Sequence, residues 1–203
     1  MAVQVGLRER KKQQTRQAIY EAARRLFAAR GFDRVTVADV AGEANVSEVT
    51  VFNYFPTKED LFYGGMHFFE EELLEAVRMR KPGESALRAF RRKLLDSVEA
   101  LRSRERFADI RKATEALAAS PSLLARERQI VDRYTIDLAE LLHGGPDADI
   151  ESVAVATALM GAHRAVVDHV RRQVRAGARG DALADDAAAQ IRKAFARLER
   201  GLG

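Results

Sequence analysis

The sequence predicts an all-α protein of about nine helices. Only 4 of the 203 residues are proline, and proline-poor chains favour long helices because proline breaks a helix interior. Hydrophobic residues make up 47% of the chain, and many of them are alanine and leucine, which are strong helix formers. Along most of the chain these residues recur at the three- and four-residue spacing of a helix with one buried face.

Charge is distributed unevenly along the chain. Residues 1–34 contain nine Arg or Lys against three acidic residues, a net charge of +6, whereas the whole chain has a net charge of +4. A cationic N-terminal end suits contact with phosphate groups. For residues 1–11 the alternative is a solvated and partly disordered tail.

The chain contains no cysteine, which excludes disulfides and thiolate chemistry. It also lacks a long apolar run at its N-terminus and any stretch of about 18 apolar residues. We therefore expect a soluble, cytoplasmic protein.

The first predicted helix covers residues 12–30. Its apolar stripe consists of Ile19, Ala22, Ala23, Leu26 and Phe27. Gly31 ends this helix, because glycine readily forms a left-handed C-terminal cap, and Phe32 can fold back onto it.

Residues 36–55, TVADVAGEANVSEVTVFNYF, predict two short helices joined by a tight turn. Thr36 followed by Asp39 is a variant of the capping box, and Ser47 caps the second helix. Asn45 tolerates the left-handed backbone that the turn requires. This arrangement predicts a helix-turn-helix.

The second of these helices is predicted to enter a DNA major groove. Val51 and Phe55 point to the core, which leaves the side chains of Glu48, Val49, Thr50, Asn53 and Tyr54 facing out. Such side chains suit base edges and phosphates. Lys58 follows in the first turn of a helix capped by Thr57 and Asp60, where its charge and the free amides would form an anion site.

The remaining helices are predicted at residues 57–80, 84–103, 105–118, 121–143, 149–176 and 182–201. Gly64 and Gly65 lie inside the first of them and allow either a bend or the close approach of a neighbour. Pro82 and Gly83 end that segment.

From residue 12 to residue 72 the chain resembles the tetracycline-repressor (TetR) family of bacterial transcription regulators. The segments TRQAIYEAARRLFAARGF and VTVADVAGEANVSEVTVFNYFPTKEDLF carry the resemblance. It implies a DNA-binding domain at residues 1–56 and a helical effector-binding and dimerisation domain at residues 57–203. It also implies a homodimer that binds a double-stranded DNA operator, usually as a repressor, and is released by a small molecule.

The family's DNA-contacting positions fall into two groups in this sequence. Those that would face bases are Glu48, Val49, Thr50 and Asn53, and those that would hold phosphates are Thr36, Ser47, Tyr54 and Lys58. Position 52 is usually tyrosine in this family, and Phe52 lacks the hydroxyl that reaches a phosphate, so that contact is lost or replaced. Glu48 either accepts a hydrogen bond from a cytosine amino group or caps its helix.

The resemblance also implies that the last two helices pair with those of a second subunit in a four-helix bundle. Small residues in the helix at 149–176 would allow close approach, and the helix at 182–201 has an apolar face. The predicted interface residues are Ala158, Gly161, Ala162, Ala165, Ile191, Phe195 and Leu198.

The second domain is predicted to hold an apolar or amphipathic effector. Its candidate residues combine many apolar side chains with few polar groups, which suits such a ligand: Phe69, Leu73, Phe90, Leu94, Phe107, Ile110, Thr114, Tyr134, Met160 and His163. The alternative is a fully packed core. The C-terminal part also resembles actinobacterial regulators of the mycofactocin type, which implies an acyl-CoA-like effector.

Catalytic and metal-binding signals are weak in this sequence. His67, Glu70 and Glu71 lie on one side of a helix, and Glu140 with His143 forms a single E-x-x-H, whereas a carboxylate-bridged metal site needs several such motifs. We therefore expect these side chains to lie at the surface, and we expect no metal, no cofactor and no enzymatic activity. Two other functions remain open: a non-specific DNA-architectural protein, and a helical-bundle enzyme or carrier with a vestigial DNA domain.

Overall fold

The computed structural model describes residues 6–64 and 67–201, without the side chains of residues 7–9 and 67–69. Within these residues the chain is all-α, as predicted, with ten α-helices and one 3₁₀ helix, Glu99–Arg102. The α-helices are α1 (Leu7–Arg30), α2 (Val37–Glu43), α3 (Glu48–Tyr54), α4 (Lys58–Tyr63), α5 (His67–Arg78), α6 (Ala86–Val98), α7 (Arg104–Ala119), α8 (Pro121–His143), α9 (Ile150–Arg175) and α10 (Gly180–Glu199).

Several helix boundaries differ from the sequence prediction. α1 begins at Leu7 instead of residue 12, so residues 7–11 are helical. No glycine or proline interrupts the chain between Leu7 and Arg30, and either residue would disfavour a helix. The helix predicted at 57–80 corresponds to α4 and α5, and Gly65 and Met66 between them lie outside the described residues. The helix predicted at 84–103 corresponds to α6 followed by the 3₁₀ helix.

Local side-chain bonds define where the helices of the N-terminal region start. Asp39 N donates to Thr36 Oγ1 at 3.1 Å, and Thr36 N donates to Asp39 Oδ2 at 2.8 Å, which completes the predicted capping box. Thr50 N donates to Ser47 Oγ at 3.1 Å, so Ser47 caps α3 as expected. Asn45 has a φ of 54°, the left-handed conformation predicted for the turn.

One compact unit, the first unit, comprises residues 1–67 and 119–126. In it α1 packs against α2 and α4, and α2 packs against α3. Its core consists of Ile19, Ala22, Ala23, Leu26, Val35, Val40, Ala41, Val51, Phe55 and Leu61. The inward positions predicted for α1 and for the helix-turn-helix are therefore confirmed.

The first unit extends beyond the boundary that the sequence suggested at residue 56. Tyr63 Oη donates to Leu123 O at 2.8 Å, and Arg126 Nη2 lies 2.7 Å from Asp60 Oδ1. Asp60 is only 5% exposed, and a buried carboxylate requires such partners. These bonds join α4 to the start of α8 within the same unit.

The second unit comprises residues 68–118 and 127–203. α10 packs there against α6, the 3₁₀ helix and α9, and the rings of Phe90 and Phe195 stack with centroids 6.2 Å apart. Among the helices that the structure describes, α9 alone is long and apolar enough to cross a membrane by length and composition. Its residues Leu159, Met160 and Val166 belong to the core of this unit.

Gly64 lies at a point of close packing. A Cβ atom placed on it would lie 2.8 Å from Phe55 Cε1, 3.1 Å from Tyr20 Cδ2 and 3.2 Å from Asp60 O. Of the two interpretations of this glycine, the structure supports the close approach of a neighbour.

We expect Gly64→Ala to destabilise the protein by about 1–3 kcal/mol, because the added methyl overpacks a filled site. Gly42→Ala in α2 is the matched control, since no atom lies within 4 Å of its added Cβ. Alanine there should stabilise the protein by about 0.5–1 kcal/mol. Urea unfolding measures both changes, and a Gly64→Ala protein as stable as the wild type would contradict the packing argument.

Candidate DNA-contacting surface and ligand site

The candidate DNA-contacting surface is the exposed side of α3. Val49 is 69% exposed and Phe52 is 46% exposed, and Glu48 and Asn53 beside them are exposed as well. Val51 on the opposite side is fully buried and holds the helix to the core. Positions 49, 52 and 53 share one side of a helix by their spacing. We call Glu48, Val49, Phe52 and Asn53 the recognition face.

The composition of this face differs from the sequence prediction at two positions. Phe52 belongs to it, although the sequence indicated only a lost phosphate contact there; its three-residue spacing from Val49 was the available signal. Thr50, predicted to face bases, is half-buried, and its Oγ1 lies 2.8 Å from Ser47 Oγ. Since Ser47 is the cap of α3, Glu48 is not needed in that role.

Two of the hydroxyls predicted to hold phosphates, those of Thr36 and Ser47, already make intramolecular hydrogen bonds. Thr36 Oγ1 donates to Asp39 Oδ2 at 2.7 Å. The backbone hydrogen bond from Thr36 lowers the pKa of the Asp39 carboxyl, and the hydroxyl bond lowers it further. Arg30 Nη1 lies 3.4 Å from this carboxylate. Tyr54 is half-buried against the core of the first unit, so only part of its side chain is at the surface.

Lys58 binds two backbone carbonyls. Its Nζ donates to Phe32 O at 3.0 Å and to Val35 O at 3.1 Å, and it lies 4.2 Å from the centroid of the Phe32 ring. An ammonium has three N–H groups, so these two bonds use two of them. The capping box of Thr57 and Asp60 also engages amides at the start of α4. The open anion site predicted at this helix start is therefore corrected to a largely occupied one.

Most of the predicted ligand residues lie in or against the core of the second unit. The buried apolar ones are Leu73, Phe90, Leu94 and Met160, and the partly buried ones are Phe107, Ile110 and Tyr134. Thr114 and His163 are buried as well, and Thr114 Oγ1 donates to Ile110 O at 2.8 Å. The side chain of Phe69 lies outside the described residues.

A groove of about 610 Å³ in the second unit does not coincide with this set. It is lined by Glu72, Lys93, Asp96, Ser97, Ala100, Arg106, Asp109 and Ile110. Ile110 is the single predicted ligand residue in this wall, and Lys93 Nζ lies 2.8 Å from Glu72 Oε2. The groove is therefore polar and ion-paired, unlike the apolar site that the sequence predicted.

Glu70 and His163 form a buried polar pair in the second unit. Glu70 Oε1 lies 3.9 Å from His163 Nε2, and the two side chains are 13% and 4% exposed. Burial raises the pKa of Glu70 to about 7 and lowers the pKa of His163 to about 4. Between these pH values the carboxyl holds a proton and the imidazole is neutral.

The prediction that Glu70 lies at the surface is wrong, since its side chain is only 13% exposed. Glu70 precedes Leu73 and Val77 by three and seven residues, and both are fully buried. Helical periodicity therefore places Glu70 on the buried side of α5, but its charge favoured the opposite interpretation. Close by, Arg171 Nη1 donates to Glu127 Oε2 at 2.8 Å.

The histidine and acid patterns of the sequence do not come together as a metal site. Within the described residues, no three His, Asp or Glu side chains are grouped so that they could hold a metal ion. The side chain of His67 lies outside that description. His143 Nδ1 lies 3.8 Å from Oδ2 of Asp149, the residue that caps α9.

The predicted interface residues divide by exposure. Ala158, Gly161 and Ala165 on α9 are exposed, and Ala162 and Leu198 are half-buried. Ile191 and Phe195 on α10 are fully buried in the core of their own subunit. Those two present no surface to a partner, so their assignment to an interface is corrected. Val153 and Val155 of α9, which the sequence analysis did not select, are 45% and 40% exposed.

The pair Glu70–His163 predicts a specific dependence of stability on pH. The pKa of Glu70 rises from 4.5 to about 7 on folding, so this group alone makes the protein less stable as the pH rises towards 7. The pKa of His163 falls from 6.5 to about 4, so this group alone makes the protein more stable as the pH rises towards 6.5. In the wild type the two dependences oppose each other, because folding transfers one proton from the imidazole to the carboxyl.

Single substitutions should reveal the pH dependence of stability that each of the two groups causes. The free energy of unfolding of His163→Gln should fall by about 1–3 kcal/mol from pH 5 to pH 7, and that of Glu70→Gln should rise by a similar amount from about pH 4 to 6.5. Urea unfolding at a series of pH values measures both, with the wild type as control. Parallel profiles in all three proteins would refute the proton transfer.

Known proteins resemble this chain most specifically in its N-terminal region. Residues 19–63 match the family model for bacterial regulatory proteins of the tetR family. TcmR, an HTH-type transcriptional regulator of Streptomyces glaucescens, is 34% identical over 85 residues, which are 42% of this chain and 38% of TcmR. The chain thus aligns with less than half the length of that relative.

Two further proteins align over most of the chain. MftR of Mycobacterium tuberculosis, named as a mycofactocin biosynthesis transcriptional regulator, is 28% identical over 167 residues, 79% of this chain and 81% of MftR. SmeT, solved as a complex with triclosan, has a TM-score of 0.58 and 19% identity over 90% of both chains, which shows a common fold. Regulators of the tetR type are not enzymes. The helix-turn-helix, the family match across it and the alignment with MftR together show that residues 19–63 form a DNA-binding domain of the TetR family of transcriptional regulators.

Proposed function

We propose that the protein is a ligand-responsive repressor, which binds a palindromic operator as a homodimer in the cytoplasm and is released by a small apolar or amphipathic effector. The observation that carries this proposal is the exposed recognition face of α3, held on a helix whose opposite side is buried and whose start is capped. A short helix of this kind can enter a major groove and contact base edges.

Polar groups of the first unit supply contacts of two kinds. The amide of Asn53 can both donate to and accept from an adenine edge, and Glu48 can accept from a cytosine amino group. The remaining N–H of Lys58, with the side chains of Ser47, Thr36 and Tyr54, would hold phosphates and set the register. Lys11 and Lys12, exposed on α1, add cationic charge.

A homodimer is supported by the exposed side of α9. Ala158, Gly161 and Ala165 are exposed, and no atom lies within 4 Å of a Cβ placed on Gly161. Small residues let the same helix of a second subunit approach closely, and a two-fold interface uses the same surface on both subunits. Such a dimer presents two recognition helices to half-sites about 34–36 Å apart.

An uncharged effector is supported by the polar groups of the second unit. The polar groups buried in its core are few, and between about pH 4 and pH 7 the Glu70 carboxyl is mostly protonated while His163 is neutral. A site with mostly apolar walls and a few neutral polar groups suits an apolar or amphipathic molecule better than a highly charged one. SmeT, which has the same fold, binds triclosan in its solved complex.

The position of α8 supports a way for effector binding to alter operator binding. Its first residues belong to the first unit, where Arg126 Nε donates to Asp60 Oδ1 at 2.8 Å, and the rest of the helix belongs to the second unit. A ligand that shifts α8 would act on Asp60, and through α4 on Lys58 and its two carbonyl bonds. We propose this helix as the element that links ligand binding to operator binding.

Selection from random DNA should yield an inverted repeat, and two variants should separate the roles of the contacts. Lys58→Ala should weaken binding to all sequences alike and reduce the salt dependence by about one unit. Asn53→Ala should cost about 1–3 kcal/mol on the preferred site and relax the preference at one position. Melting curves check that Lys58→Ala, which also loses two carbonyl bonds, is folded. A change of sequence preference in Lys58→Ala alone would reverse these roles.

Ala165→Glu should abolish dimerisation and with it tight operator binding, because it buries a charge between the two copies of α9. The subunit should still fold, since Ala165 is exposed within it. Ala118→Glu on α7, another exposed alanine, is the control that should remain dimeric. Sedimentation velocity decides: a stable Ala165→Glu dimer would remove this side of α9 from the interface.

Effector and operator should weaken each other's binding by the same factor, typically about 5–150-fold. Apolar and amphipathic compounds, with triclosan as the first probe, are screened for those that raise the Tm and are then titrated calorimetrically with and without operator DNA. Asp60→Asn keeps an acceptor for Thr57 but removes the negative charge that pairs with Arg126. This variant should therefore reduce the factor by which effector and operator weaken each other's binding. Glu43→Gln, which breaks a surface pair with Arg25, should not. Equal affinities with and without DNA would rule out the switch.

A further inference from the structure

The recognition face contains two apolar side chains as well as two polar ones. Val49 is 69% exposed and Phe52 is 46% exposed, and they lie about one turn apart on the same side of α3. Neither side chain has a hydrogen-bond donor or acceptor, so neither can bind a phosphate or a polar base edge. Both nevertheless lie on the part of the helix-turn-helix that is free to meet DNA.

We propose that Val49 and Phe52 recognise the C5-methyl groups of thymines in the operator. The inference rests on the proposed operator binding and specifies which chemical groups of the operator are read. In the major groove each unmodified base pair offers hydrogen-bonding groups, and only thymine adds a methyl group. A valine methyl and a phenyl ring are complementary to that methyl group and cannot pair with the hydrogen-bonding groups.

Single exposed apolar residues are common on protein surfaces and need no explanation. Val49 and Phe52 differ because they are adjacent to each other on one face and are flanked by Glu48 and Asn53. The inward positions of the same segment are already filled by Val51 and Phe55, which are 0% and 2% exposed. The two side chains therefore lie outside the core of the first unit and are available for contact with a partner surface.

The spacing along α3 limits where the thymines lie. Residues three apart are separated by about 4.5 Å along a helix axis, and successive nucleotides by about 3.4 Å along DNA. The two methyl groups are therefore expected on neighbouring base pairs of a half-site or on pairs separated by one. The hydrogen-bonding readout by Glu48 and Asn53 falls on bases next to them.

The experiment replaces single thymines of the selected operator by deoxyuridine, which removes the methyl group and leaves every hydrogen-bonding group in place. The wild-type protein should lose about 3- to 5-fold in affinity at each methyl that is read, the loss expected for one buried methyl. Other thymines should show no change. Fluorescence anisotropy with each duplex measures the ratio of the two dissociation constants.

Two variants assign each methyl to its side chain. Val49→Ala should bind thymine and deoxyuridine equally at one of these positions, and Phe52→Ala should do so at the other. Ile136→Ala on α8, which also truncates an exposed apolar side chain, should keep both differences. All three substituted side chains are exposed, and melting curves verify folding.

Either of two outcomes overturns the inference: deoxyuridine duplexes that all bind like the parent operator, or alanine variants that keep both thymine preferences. Each of them leaves operator binding itself intact. A selection that enriches no DNA site would instead overturn the proposed function, and the methyl readout with it.

Discussion

Asp60 joins two helix starts through one buried carboxylate. Its Oδ2 accepts from Thr57 N at 3.0 Å and from Thr57 Oγ1 at 2.8 Å, and its Oδ1 accepts from Arg126 Nε at 2.8 Å. A charge that is 5% exposed is tolerated only when its bonds are satisfied. The start of α4 is therefore fixed to the start of α8. Because α4 begins with Lys58, the same constraint positions the ammonium that binds the carbonyls of Phe32 and Val35, just before the helix-turn-helix.

The sequence predicted the parts of the structure that depend on near neighbours. The capping boxes at Thr36 and Thr57 and the cap at Ser47 involve partners three residues away, and the left-handed turn at Asn45 depends on one residue type. The carbonyl partners of Lys58 lie 23 and 26 residues before it. A pattern that places a cation at a helix start contains no information about such distant acceptors, so the open anion site was predicted in error.

Helical periodicity predicts which side of a helix is buried, but it does not predict which neighbouring helix or subunit covers that side. Ile191 and Phe195 have the spacing of an apolar face, which the sequence analysis assigned to a second subunit. In the structure the stacking of Phe195 on Phe90 shows that the subunit's own α6 covers that face. At Glu70 residue type and spacing disagree: an acidic side chain suggested the surface, whereas its three-residue spacing from Leu73 indicated the core. For Phe52, the family pattern indicated a missing hydroxyl but gave no information about the exposure of the ring.

The neutral pair of Glu70 and His163 has a consequence for how the stability of the second unit depends on pH. Since the proton lost by one group is held by the other, the second unit exchanges no net proton with water through this pair over the range between the two ordinary pKa values, 4.5 and 6.5. A carboxyl or an imidazole buried by itself would make the free energy of unfolding depend on pH over this range. With both present, the two dependences cancel, so the pair can stay buried in the second unit while its own contribution to stability is nearly the same at either end of that range.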